Sequence, residues 1–511
     1  MWTYRGEESL KKQLLSTIAV AAIAVAAGSA QAGTLFIGRL TSAQEVPPNA
    51  STATGTGTLI LNDARTSALV SVTHNVPAAT VTAGHIHRAA AGVNGPVIFP
   101  FPNPNAVTNL TWAIPAADVT NLENNGLYFN IHSQSRPGGE IRGQISRARL
   151  APAANNSAQA AVAAAMDVSF GFAADLDTAL INLNLAAVST QTAGLEDLSG
   201  RTVYVASRQG LEAMQSFAGN LLARSEETRL AGGAPDGSII GFVTAGYDFG
   251  DRDGGVGEAA SKISRPFAMG GFEFNSGDGM SAGLAIGQAN GEDKIKNNGG
   301  KVEVDVTTVS GFFSTKASDS VALDLVVGYG WGDIDSSRNL ATFNAVAEGE
   351  SDSNNWGITA KVSSMMDMGG NATLLPYLML DYRDSKVGNY TETGAGSLGL
   401  IVPDHKRKNS NAEIGGTAAI PLDGDNLTAR LQLAWQQRLS GKADTISTRL
   451  VGSAVAFDTT FLGLPKSAAK MGASLNAKLG DGVVGALGYR GLLGGSRIDL
   501  HAIEARLSMT F

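Results

Sequence analysis

The last eleven residues, His501 to Phe511, constrain this chain more than any other stretch. Ile503, Ala505, Leu507, Met509 and Phe511 alternate with Glu504, Arg506, Ser508 and Thr510. Side chains along a strand point to opposite faces in turn, so one face is apolar and the other polar or charged. A core strand of a soluble domain seldom ends a chain on an aromatic residue. A barrel strand with lipid outside and a wet lumen inside does, because an aromatic ring suits the lipid–water interface. The segment predicts the closing strand of an outer-membrane barrel, with Glu504 and Arg506 in the lumen touching each other or whatever fills it.

The preceding residues support that expectation. Twelve strands are predicted from Ile239 onward, approximately 239–250, 265–275, 279–290, 302–315, 319–332, 353–366, 372–384, 409–421, 426–440, 468–478, 482–492 and 499–511. Short connections fall at NSGD, KASD, MDMGGN, PLDGDN and KLGDG, all built of residues that tolerate tight-turn dihedrals. Long ones fall at 251–264, 291–301, 333–352, 385–408 and 441–467. Strict alternation of short and long puts each kind on one rim of an antiparallel barrel. Tyr247, Trp331, Trp356, Tyr382 and Trp435 lie near strand ends, where interface girdles belong.

The N-terminus sets the compartment. Lys11 and Lys12 precede the apolar run Leu14–Ala27, then Ala30-Gln31-Ala32. This is the pattern of a secretory signal over residues 1–32, cleaved after Ala32. The run is too short for a spanning helix, which needs roughly 20 residues. No other stretch reaches that length, so an integral protein must be a barrel. The 511 residues contain no cysteine, which excludes a disulfide framework, and the net charge of −8 argues against nucleic acid as a partner. The expected surroundings are outer-membrane lipid and, on the way there, periplasmic chaperones. A single-chain barrel is expected to be a monomer.

Residues 33–150 read as short strands between turns (LFIGRL, GTLILN, SALVSVTHNV, VTAGHIHR, GLYFNIHS, EIRGQISRARL) and predict a small β-sandwich. Residues 151–232 turn Ala-rich and then helical. Val205, Leu211, Met214, Phe217, Leu221 and Leu222 recur at helical spacing between about Thr202 and Arg229. Such a helix would be roughly 40 Å long at 1.5 Å per residue. The architecture expected is mainly β: a sandwich at 33–150, a helical linker at 151–232 and a barrel at 233–511.

Two resemblances rest on quoted residues. FDTTFLGLPKSAAKMGASLNAKLGDGVVGALGYRG (457–491), the strand to Phe511 and the ALINLNLAAVST and SGRTVYVASRQGLEAM runs resemble the autotransporter β-domain of type V secretion and its linker. The resemblance implies a twelve-stranded barrel with the linker helix in its lumen and the upstream domain carried to the cell surface. It implies that Phe511 ends a signal read by the barrel-assembly machinery. Some autotransporters cut their linker after an Asn, for which Asn220 and Asn155-Asn156 are the candidates. SAQEVPP (42–48), AGHIH (83–87), NGPV (94–97), LYFNIH (127–132) and PGGEIRGQI (137–145), in that order, resemble a CHRD domain. That resemblance implies an immunoglobulin-like fold and names no activity.

The chemistry on offer lies in the sandwich. His85 and His87 are two apart on one strand and share a face, and His132 on another strand could supply a third imidazole. Three imidazoles suit zinc or copper; the bland alternative is that they hydrogen-bond loop backbone. The GHIH string is also similar to the copper-ligand strand of Cu/Zn superoxide dismutase. Glu140, Arg142 and Gln144 share a strand face, as a polar recognition patch or a structural ion-pair row. Asn94-Gly95-Pro96 reads as a turn. No catalytic fingerprint stands in a matching context, so no enzyme activity and no obligatory cofactor are expected. Display of the sandwich is the leading expectation; the alternatives are a surface metal-binding or redox module and an adhesin for an unknown extracellular ligand.

Overall fold

The computed structural model describes residues 33–511 apart from positions 231, 232, 234, 256, 277, 278, 298, 425, 442, 462–464, 496 and 497. The expected signal segment 1–32, with Ala32, lies outside the described residues. The chain forms two compact units. One comprises the residues up to Pro152 with Ala163–Ala186 and Gly452–Val455; the other holds Ala153–Val162, Ala187–Val451 and Ala456–Phe511.

The first unit is built on nine strands: β1 (Gly33–Thr41), β2 (Thr54–Asn62), β3 (Ala68–His74), β4 (Val81–Arg88), β5 (Val97–Pro100), β6 (Val107–Trp112), β7 (Leu127–Ser133), β8 (Ile141–Gln144) and the two-residue β9 (Ser146–Arg147). They form one sheet in the order β5-β4-β7-β8-β1-β2-β3-β6, with β9 on β1. Leu40, Leu59 and Val70 from one half of this sheet share a single core with Ile86, Phe129 and Ile131 from the other. The sheet therefore folds over on itself and closes as a sandwich. Two glycines make that closure possible. Gly38 and Gly57 face each other across β1 and β2, and a Cβ on Gly57 would lie 2.3 Å from the Phe129 ring. Their missing side chains leave the space that the ring fills.

β5, β6 and the helix α1 (Ala116–Glu123) were not anticipated. β5 is four residues ending at Pro100, and α1 is barely two turns behind Pro115, too short to show a period. The Ala-rich stretch after residue 151 yields α2 (Ser157–Met166), α3 (Ala174–Leu185), α4 (Val188–Leu198) and the long α5 (Val205–Leu230), the last close to its predicted span.

The second unit is a closed barrel. Its first strands are β10 (Ile239–Arg252), β11 (Ser261–Asn275), β12 (Met280–Ile295), β13 (Gly300–Lys316), β14 (Val321–Leu340) and β15 (Ala345–Ser364). After the two-residue β16 (Met366–Asp367) come β17 (Thr373–Val387), the short β18 (Tyr390–Thr391) and β19 (Leu400–Val402), then β20 (His405–Asp423) and β21 (Leu427–Ser440). The hairpin β22 (Asp444–Leu450) and β23 (Ala456–Phe461) precedes β24 (Ser467–Gly480), β25 (Val483–Gly495) and β26 (Ile498–Thr510). The twelve long strands are antiparallel neighbours throughout, and β26 pairs with β10 from Ile240↔Thr510 to Arg252↔Ile498, which closes the wall. β18, β19, β22 and β23 make a separate four-stranded sheet outside it.

The alternation of β26 has its expected meaning. Ile503, Leu507 and Met509 are exposed on the outer face, whereas Ala502, Glu504 and Arg506 are buried on the inner one. Outward aromatic rings cluster: Tyr329 lies near Trp331, and Trp356 packs 5.1 Å from Tyr382.

Two expected loops are instead strand. The connection at 291–301 shrinks to four residues between β12 and β13, and that at 333–352 to four between β14 and β15, where Asn344 adopts φ 51°. The reason is the end of the lipid. A strand of 20 residues is about 65 Å long at roughly 3.3 Å per residue, far more than a band about 25 Å tall requires even when tilted. Beyond Trp331 the outward residues of β14 are Asp333 and Asp335, and opposite them β15 shows Asp352 and Glu350, with Glu348 two residues further on facing Ser337. Past the lipid the outer face need not be apolar, so the alternation in sequence stops while the hydrogen-bonded ladder continues.

Candidate functional site

In the first unit all five quoted motifs meet on the polar face of β4, β7 and β8. Across the ladder His85 faces Asn130, His87 faces Tyr128 and Ala83 faces His132. Alternation sends Phe129 and Ile131 into the core, so Tyr128, Asn130 and His132 share the opposite face with the two histidines of β4. One ring nitrogen from each of His85, His87 and His132 lies within 4.8 Å of the other two. His85 Nδ1 and His132 Nε2 are 3.4 Å apart. The three predicted residues are thus brought together, with His87 buried and the other two half-buried.

The loops give this face its depth. His87 Nδ1 donates to Gly95 O (2.9 Å), and His132 Nδ1 donates to Pro137 O (3.0 Å). Asn94 Nδ2 donates to Val46 O (2.9 Å). Asn94-Gly95-Pro96 is therefore more than a turn: it fixes one imidazole and ties down the 42–48 loop. Gln44 accepts from the Gln144 amide (3.1 Å), and Asn49 Nδ2 donates to the carbonyls of Gly139 and Glu140 (3.1 and 3.2 Å). Gly139, at φ 139°, passes so close to Glu45 that a Cβ there would lie 2.4 Å from the carboxylate.

Burial governs the charges here. Desolvation, then the neighbouring His132 and His87, lowers the pKa of His85 to about 4. Desolvation also lowers His87 and His132, so all three rings are neutral at pH 7. Burial pushes the Glu45 carboxyl up to about 7, against the pull of Arg142 and a hydrogen bond from Asn130.

Glu140 and Arg142 do not form the patch or the ion-pair row that their spacing suggested. Both are buried, and each bonds elsewhere. Glu140 takes hydrogen bonds from Ser133 (2.6 Å), from Ser51 and from Arg136 (3.0 Å). Burial alone would raise its pKa; these donors hold it low. Arg142 lies over the Tyr128 ring at 3.5 Å and donates to Ala90 O (3.0 Å) and Gln144 Oε1 (3.3 Å). The loops cover this face, so Glu140 and Arg142 find partners in the loops and neighbouring strands and not in each other or solvent. Glu45, Tyr128 and Asn130 were missed as members of the site. For Tyr128 and Asn130 the signal was available, since residues 128, 130 and 132 share one parity on a strand whose other parity is apolar; Glu45 lies in a loop, which has no such period.

In the second unit the functional feature is the filled lumen. α5 is buried along its length, including Arg208, Glu212, Arg224, Glu226 and Arg229. Each finds a partner on the wall. Arg208 pairs with Glu258 (3.2 Å), and Glu212 takes Arg252 (2.5 Å) and Arg265 (2.7 Å). Arg224 pairs with Glu273, and Glu226 with Lys361 and Arg430. Arg229 grips both carboxylate oxygens of Asp324 (2.6 and 2.9 Å). Arg506 meets both Glu227 of the helix and Glu504 of its own strand (3.2 Å). Between the two charged stretches Phe217, Leu221 and Leu222 share an apolar cluster with Phe242, Phe267 and Met269 of the wall, so the helix is held by apolar packing in its middle and by complementary charge toward its ends.

Residues 241–490 match the family model of the autotransporter beta-domain, and residues 36–145 match that of the CHRD domain. Among solved structures, the chain is similar to the translocator domain of the autotransporter NalP from Neisseria meningitidis, at 17% identity and a TM-score of 0.49, covering 61% of this chain and 99% of that one. It is similar to the beta domain of the Bordetella autotransporter BrkA, at 14% identity and a TM-score of 0.41, covering 53% and 98%. It is also similar to the transport unit of the autotransporter AIDA-I from Escherichia coli, at 10% identity and a TM-score of 0.35, covering 54% and 90%. Among curated proteins, no sequence matches this chain.

Proposed function

Since this chain is an outer-membrane protein with an autotransporter β-domain behind a CHRD domain, we propose that the barrel carries the CHRD module to the cell surface and holds it there. The observation that supports this most is the filled lumen: α5 precedes β10 in the chain, is buried, and is ion-paired to the barrel at Arg208 and Glu212 and again from Arg224 to Arg229. A linker held this way is a tether. The candidate cleavage residue Asn220 lies within this buried helix, where its side-chain amide donates to Ser216 O (3.0 Å). In this reading β26 is the strand recognised by the barrel-assembly machinery after periplasmic chaperones deliver the chain. Phe511 suits that role: its ring is exposed while its amide donates to Ile239 O (2.8 Å). A closed wall leaves no strand edge to pair with a second copy, in keeping with a monomer. Protease added to intact cells should remove the CHRD module while the barrel keeps its heat-modifiable gel mobility. A module protected until the outer membrane is broken would overturn the display reading.

A further inference from the structure

The tautomers of two of the clustered histidines are fixed by their surroundings. A backbone carbonyl can only accept, so the bonds to Gly95 O and Pro137 O place the protons of His87 and His132 on Nδ1. Their Nε2 atoms are left as lone pairs. That of His132 points at His85 Nδ1, 3.4 Å away. That of His87 is buried and has no hydrogen-bond partner among the described residues, although the residue is only 8% exposed. A buried polar atom without a partner is costly and uncommon. His74 and His405 likewise keep one ring nitrogen buried without a partner among the described residues, so what sets His87 apart is that its free nitrogen lies within 4.8 Å of two other imidazoles.

A cation accounts for all of this at once. Metal-bound imidazoles characteristically give the far N–H to a backbone carbonyl or a carboxylate, which sets tautomer and ring plane. In a tetrahedral zinc site with bonds of about 2.0–2.1 Å, neighbouring donor nitrogens are about 3.3–3.4 Å apart. The His85–His132 pair already has that separation. The third ring is held by its stack on Tyr128, 4.8 Å between centroids and 5° from parallel. A ligand set of three imidazoles favours borderline ions over calcium or magnesium. We propose that His85, His87 and His132 bind one divalent transition-metal ion of the zinc(II) or copper(II) class, with a fourth position open on the half-buried side of His85 and His132. The site belongs to the CHRD module itself and does not depend on where the module is displayed.

The test uses the full chain, purified in detergent micelles, stripped with chelator and dialysed against zinc(II) or copper(II) separately. Elemental analysis should return one ion per chain. Copper(II) should give a paramagnetic resonance spectrum with nitrogen hyperfine structure. His85→Ala, His132→Ala and His87→Phe should each weaken binding at least tenfold. The phenylalanine keeps the stack on Tyr128 and removes only the nitrogens, so loss of metal there cannot be ascribed to a collapsed fold if the protease resistance of the module is unchanged. His74→Ala, elsewhere in the same module, should leave binding intact. Less than stoichiometric uptake of both ions by the unaltered chain would overturn the proposal. So would full retention by the triple variant His85→Ala/His87→Phe/His132→Ala, or equal loss in His74→Ala.

Discussion

Replacing Arg229 by methionine should loosen the lower end of the helix inside the barrel. Arg229 donates twice to Asp324 (2.6 and 2.9 Å) and once to Ser314 Oγ (2.6 Å), and residues 314 and 324 face each other across β13 and β14. The side chains of Arg229 and Asp324 are 7% and 1% exposed. Methionine has a similar unbranched reach and fills the space, but it leaves the carboxylate buried without its partner. Breaking one side of a buried pair costs about 3–5 kcal/mol, mostly the stranded charge. Asp324→Leu should cost a similar amount. The double variant Arg229→Met/Asp324→Leu strands nothing and should fall within about 1 kcal/mol of the unaltered chain. With each single variant losing about 3 kcal/mol or more and the double within about 1, the coupling across the cycle is about 5 kcal/mol or more, large for a residue pair. Guanidinium unfolding of the purified chain in micelles measures the four stabilities, and conductance in a planar bilayer reports whether the lumen opens in the single variants. Additive losses, with the double variant as weak as the sum of the singles, would refute the account of the lumen as a set of matched charges.

Glu45→Gln should change how the CHRD module responds to pH. The fold raises the Glu45 pKa from 4.5 to about 7 through burial, beside Arg142 and Glu140, so it favours the protonated form. The associated stability is complete below about pH 4.5 and is lost as pH rises through 7; the shift corresponds to about 3 kcal/mol at most. In chelator, thermal melts should show the Gln variant gaining on the parent between pH 5 and 8, and parallel pH profiles would contradict this. Gly57→Ala should destabilise the module by about 1–3 kcal/mol, because the new methyl would meet the Phe129 ring at 2.3 Å; a melt within 1 °C of the parent would rule that out. Deleting Phe511 should lower the amount of folded barrel in the outer membrane severalfold, read by heat-modifiable mobility; unchanged levels would remove its assembly role.

The barrel was legible in the sequence as far as the lipid reaches. Between the interfaces one face of each strand must be apolar, so positions such as Leu507 and Met509 announce themselves. Above Trp331 that constraint ends, and Asp333 and Asp335 looked like loop although they stand on the same ladder. The sandwich was legible as strands, and the three histidines as a cluster, because two-residue spacing fixes a face. The partners of Glu140 and Arg142 were not. They come from Ser51, Ser133 and Ala90, and loop closure over a sheet face leaves no period to read. The plug helix showed its length but not the reason for its charges, since each partner lies on a distant strand.

Those charges also make the helix a ruler. Along α5 the signs run positive at Arg208, negative at Glu212, positive at Arg224, negative at Glu226 and Glu227, and positive at Arg229. A slip of one turn, about 5.4 Å, would set Arg208 where Glu212 now stands, against Arg252 and Arg265. Three guanidiniums would then face one another. The pattern thus admits one axial position, and it fixes how many residues of chain emerge at either mouth of the barrel.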